Sequence, residues 1–155
     1  MNIKKNIVSF IALTVMSVGA IQAADVSVST DENTVILNGY DTVAYFTQSE
    51  AVEGSKKYTA VHDSAIYHFS SAENRDIFNA NPDKYEPQFG GFCAYGAALG
   101  KKFDVDGEAF EVVDGKLYVN KSLTVYETWA EEKDKNIETA HTKWSDIENV
   151  AASEL

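Results

Sequence analysis

The chain has 155 residues, 24 acidic against 13 basic for a formal net charge of −11, and aromatic residues make up 12% of it. That length supports one domain with a real core and argues against two. So acidic a surface repels phosphate backbones and anionic lipid, which argues against nucleic-acid and membrane-surface roles.

The first segment reads as an export leader. Lys4 and Lys5 form a basic start, Ile7 to Met16 is almost wholly apolar, and Ile21-Gln22-Ala23 offers a small residue at the cut. Residues 1–23 are assigned to it, with cleavage after Ala20 as the alternative. The other reading is an uncleaved anchor, but the run from Ile7 to Ile21 falls short of the roughly 20 apolar residues that cross a hydrocarbon core. Losing Lys4 and Lys5 makes the mature chain more acidic by two charges. The expected location is the periplasm, with secretion as the alternative and no membrane association once the leader is removed.

Residues 24–33 read as a flexible, acidic lead. In "TVILNGYDTVAYF" we expect a strand over Thr34 to Leu37, a turn at Asn38-Gly39, and a helical turn capped by Asp41. "YTAVHDSAIYHF" reads as a hairpin around Asp63-Ser64. A two-residue loop there puts Thr59, Val61, Ile66 and His68 on one face, and Tyr58, Ala60, His62, Tyr67 and Phe69 on the other. His62 and His68 then point to opposite sides of the sheet. Ser70 with Glu73 forms a capping box for a helix that stops before Asn81-Pro82.

Gly90-Gly91 predicts a turn and a short helix starting near Cys93. Further on, "DVDGE" holds Asp104, Asp106 and Glu108 but lacks the remaining ligands of a calcium loop, so a turn at Asp106-Gly107 is the better account. "FEVVDGKLYV" gives the strongest hairpin signal, with Asp114-Gly115 suited to a type I′ turn and Phe110, Val112, Leu117 and Val119 on one face. Apolar residues recur at helical spacing through Leu123, Tyr126 and Trp129, then Ile137, Ala140, Trp144 and Ile147. Hairpins interleaved with short helices, without βαβ repeats, predict a small single α+β domain over residues 34–148, a helical C-terminal third and a frayed tail over 149–155.

These segments resemble the YHS-domain family, in its exported single-domain type. The resemblance rests on "GYDTVAYF", "YHFSSAENRDIF", "NPDKYEPQFGGFCAYG", "VVDGKLYVN" and the Ala140/Trp144 helix. It implies metal binding, with copper the metal often suggested, but no settled activity. Many metal-associated members carry paired cysteines where this chain has Ser70 and Asn74, whose oxygen and amide groups do not replace thiolates for a soft metal. Thr42 stands where such relatives usually have Pro, and Phe110 where they tend to have Trp.

Cys93, the sole cysteine, is the central candidate. A helix start favours its thiolate, whereas packing against Phe92 and Tyr95 makes it a small hydrophobe. His68 reads as half-buried and backbone-bonded, His62 as solvated beside its turn, and His141 as the rim of a packed helix. Cys93 and His68 are the candidate ligands for a copper or zinc ion. Tyr40, Asp41, Tyr67, Gly90, Gly91 and Tyr95 are the expected walls of a pocket for a metal ion or small molecule. The reading is an exported binding module. A thiol enzyme or redox protein using Cys93 is the first alternative, and a structural interaction module the second.

Overall fold

The structure, a computed structural model, describes residues 26–155. The assigned leader lies outside the described residues. Among these, helices α1 (Thr42–Thr47), α2 (Ala72–Ala80), α3 (Pro82–Tyr85), α4 (Ala94–Ala98), α5 (Leu123–Glu131) and α6 (Lys133–Ile147) surround two hairpins, β1–β2 (Ser55–His62, Ala65–Phe69) and β3–β4 (Asp106–Val113, Lys116–Asn120). The fold is a small α+β domain. No described helix is long and apolar enough to cross a membrane.

Both hairpins form with the expected registers, because their turns are encoded locally. Asp63 (φ 44°) and Ser64 (φ 64°) close the first, and Asp114 (φ 50°) and Gly115 (φ 73°) the second, each pair left-handed as a type I′ turn requires. Val61 pairs with Ile66 and Thr59 with His68, so His62 and His68 do face opposite sides.

Strand β4 is buried on both faces. Leu117 and Val119 enter one core with Ile36, Val43, Tyr45, Tyr67, Phe69 and Phe78, while Tyr118 enters a second with Phe89, Ala97, Trp129 and Ala140. The period of two thus makes one short strand the partition between two aromatic clusters.

Five local expectations are corrected. Thr34–Leu37 is not a strand: Thr34, Leu37 and Asn38 take φ of 63°, 50° and 53°, which breaks extension and leaves isolated bridges from Ile36 to Thr30 and from Val35 to Ile66. Asp106-Gly107 is no turn but the start of β3. A Cβ on Gly107 would stand 2.3 Å from the Tyr40 ring, and Tyr45 Oη donates to the Gly107 carbonyl at 2.8 Å, so this glycine serves close approach. The lead is not free from Val26 onward, since Ser29 N donates to the Gly90 carbonyl at 2.8 Å and Ser29 is buried. The tail beyond residue 148 is tied down as well. Buried Lys102 donates from Nζ to the carbonyls of Val26 (2.7 Å), Glu148 (2.7 Å) and Val150 (2.8 Å), joining the two ends of the described chain.

The fifth correction concerns the α2 cap, which is Ser71 and not Ser70: Ser71 Oγ accepts from Asn74 N at 3.1 Å. Ser70 is taken by Asp41. The Asp41 carboxylate has no exposure, and its Oδ1 accepts from Val43 N (3.0 Å) and Ala44 N (3.3 Å) as the cap of α1. Its Oδ2 accepts from Ser70 N (2.8 Å), Ser70 Oγ (2.7 Å) and Asn74 Nδ2 (2.7 Å). Five donors therefore converge on one buried anion, which needs that many to offset its desolvation. Asp41→Asn turns an NH2 toward some of these donors, and we expect it to lower stability by about 3 kcal/mol, against about 1 kcal/mol for Asn74→Ala. Denaturant titration measures both, and an Asp41→Asn protein as stable as the parent would refute the importance of the network.

Candidate functional site

Cys93 is 1% exposed and is the N-cap of α4. The Gly90-Gly91 turn before it is obligatory: at Gly90, φ is +59° and a Cβ would sit 1.9 Å from the Ser27 carbonyl oxygen. Cys93 Sγ accepts from Gly96 N at 3.4 Å and donates to Asn120 Oδ1 at 3.6 Å, and that oxygen also accepts from Tyr95 N at 3.1 Å. Burial pushes the thiol above its usual range, against the opposing pull of the Gly96, Lys121 and Tyr95 backbone groups. The expectation that the helix start would favour a thiolate is thereby corrected, because desolvation outweighs a helix of only five residues.

The hydrogen-bond partners of this sulfur are Asn120 and Gly96, and of the expected walls Tyr95 shares the Asn120 oxygen with it. His68 is buried on the outer face of the first hairpin with its Nδ1 against Gly39. Tyr40 packs on Gly107, Asp41 is occupied by its five donors, and Gly91 lies against Ile36 and Pro87. Tyr95 packs beside the second core. Tyr67 and Gly90 are brought together, in a different place.

That place is a cleft of about 470 Å³ lined by Tyr67, Gly90 and twelve further residues from the lead, the first hairpin turn, the 86–90 segment and α6. Its aromatic wall is Tyr67, Phe89, His141 and Trp144, with Phe89 4.9 Å from the His141 ring and 5.7 Å from Trp144. Asp63, Glu86 and Glu148 contribute carboxylates, and no Lys or Arg is among the lining residues. His141 adds no charge at neutral pH, since burial and the nearby Lys116 push its pKa down. Tyr67 is held in its neutral form by burial, reinforced by Glu86 and Asp63.

At the hairpin end, His62 stands behind Asp63 and Glu86. Its Nε2 is 3.3 Å from Glu86 Oε2, 3.4 Å from Asp63 Oδ2 and 3.7 Å from Asp83 Oδ1. The nitrogen is buried and makes no hydrogen bond, which corrects the reading of His62 as solvated. Burial raises the Glu86 carboxyl pKa; His62 opposes that shift, and Asp63 and Asp83 add to it. Among the described residues, His62, Asp63 and Glu86 are the group of His, Cys, Asp or Glu side chains whose ligand atoms come within 4.8 Å of one another. Sequence reasoning missed it because α3 carries Glu86 back to the turn. The available signal was His62-Asp63 inside a tight hairpin, followed by the Asp83 and Glu86 pair on a proline-started helix.

No protein family, characterised protein or solved structure compared with this chain matches it.

The buried, neutral Cys93 should react with iodoacetamide at pH 8 at least about 100-fold more slowly in native than in denaturant-unfolded protein. Native labelling as fast as that of an unfolded thiol would reverse the placement of Cys93 as a packing and capping residue.

Proposed function

We propose that the chain is an exported binding module whose ligand is a small cation, a metal ion or an organic ammonium, taken up in the cleft between the first hairpin and α6. The observation that carries this reading is the lining itself: three carboxylates, an aromatic wall and no Lys or Arg. Carboxylates attract a cation over distance, and the aromatic rings of Tyr67 and Phe89 suit the alkyl groups or charge of an ammonium. The net charge of −11 supports the same sign of ligand. The leader reading, with Lys4 and Lys5 before an apolar run, supports action in the periplasm or outside the cell, where such a module meets its ligand directly. The resemblance to the YHS family supports metal ions as one ligand class, without support for Cys93 as their anchor.

Trp144 lines the cleft, whereas Trp129 is fully buried in the second core, so a ligand alters the emission of one tryptophan. Titration with zinc chloride or tetramethylammonium should change that emission, benzoate should not, and Trp144→Phe should abolish the change. Equal response to benzoate, or no response to either cation at millimolar concentration, would overturn the reading.

A further inference from the structure

Resting on that cation-binding reading, we propose that the hairpin end of the cleft is a divalent metal site, for zinc or copper(II), in which His62 Nε2 and carboxylate oxygens of Asp63 and Glu86 are the ligands. The type I′ turn brings Asp63 back beside His62, the last residue of β1, and α3 ends so that Glu86 faces both. The imidazole is fixed by packing, with its ring centroid 6.0 Å from Phe78 and 6.4 Å from Tyr67. Its orientation is therefore set before any ligand arrives.

The spacing fits a shared metal ion as well as an ion pair. A direct N–H to carboxylate bond is about 2.7–2.9 Å. The gaps here are 3.3 and 3.4 Å, and Nε2, buried from water, makes no hydrogen bond. Two ligand atoms each about 2.1 Å from zinc at a tetrahedral angle stand about 3.4 Å apart. Nε2 and each carboxylate oxygen thus have the separation that a shared ion imposes. Asp83 Oδ1, at 3.7 Å and on a mostly exposed side chain, is placed to supply a fourth ligand or to leave that position to water.

The donor set narrows the metal. One imidazole with carboxylates suits zinc and copper(II), while copper(I) requires sulfur ligands and calcium an all-oxygen shell. Cys93 has no part in it, and the site owes nothing to the positions 70 and 74 at which the resembled family often carries thiols.

The test is calorimetric titration of purified protein with zinc chloride and with copper(II) sulfate, set beside the tetramethylammonium titration. We expect one equivalent of metal bound, weakened at least about tenfold by His62→Gln and by Glu86→Gln, and unchanged by Cys93→Ser. Glu86→Gln is the second variant because its side chain is partly exposed and its loss does not open the core, and circular dichroism confirms that each variant folds. In 15N spectra the imidazole signal missing from His62→Gln should shift on adding zinc. Metal binding indifferent to both His62→Gln and Glu86→Gln would overturn the site. Absence of metal binding while tetramethylammonium still binds would overturn this inference and leave the cleft reading standing; absence of both would overturn the two together. A His62 signal that ignores zinc would assign the cluster to a plain ion pair and overturn the site.

Discussion

The hairpin side of the cleft is positioned by the Asp41 carboxylate. With one oxygen it caps α1, and with the other it holds the junction where β2 runs into α2. A buried carboxylate is unfavourable by several kcal/mol unless its lone pairs are met, and the five donors meet them only when the two segments, about thirty residues apart, are docked in this arrangement. The network is thus a condition on geometry more than a source of net stability. Its consequence for function is indirect but strict. β2 leaves the anchored Ser70 and runs back to the Asp63-Ser64 turn, so the hairpin end that carries His62 is aimed by the anchor at its base.

A second constraint comes from β4. Because Leu117 and Val119 face one core and Tyr118 and Asn120 the other side, this strand fixes the distance between the two clusters. Asn120 then takes both Tyr95 N and the Cys93 thiol, which sets the start of α4 and the Gly90-Gly91 turn before it. Gly90 in turn accepts from Ser29 and borders the cleft. Cys93 contributes to the site as a spacer three steps removed from it. Protection of this thiol from oxidants needs no second cysteine: the sulfur is 1% exposed and its pKa is raised.

What could be read from the sequence follows the range of the forces involved. Asp114-Gly115 and Asp63-Ser64 specify their turns within two residues, so both hairpins, their registers and the separation of His62 from His68 were legible. Asp41 as a cap was legible for the same reason. Its other three bonds were not, because Ser70 and Asn74 lie 29 and 33 residues away, and that distant acceptor moves the α2 cap to Ser71. Asp106-Gly107 has turn chemistry but not turn surroundings, since the Tyr40 ring occupies the space above the glycine. Its standing as the sole cysteine drew attention to Cys93, a residue whose local sequence suggests reactivity. Burial, a property of the whole fold, makes it a neutral cap instead. His62 failed in the opposite sense: a histidine next to a turn reads as solvated until α3 is seen to cover it.

The cluster around His62 also carries a cost that bears on its purpose. Asp63, Asp83 and Glu86 crowd one imidazole, and the Glu86 carboxyl is pushed up by burial and by its acidic neighbours. Like charges held this close disfavour the folded state, and nothing in the packing of the hairpin requires them: the turn needs only left-handed backbone at 63 and 64, and α3 needs only Pro82 at its start. Aligned local preferences would replace at least one carboxylate with a neutral side chain. An arrangement that gives up stability locally, while the Asp41 carboxylate is met by five donors, has the character of a site kept for a ligand. A bound divalent ion relieves the repulsion at its source, so the energy withheld from folding is returned as affinity for the cation.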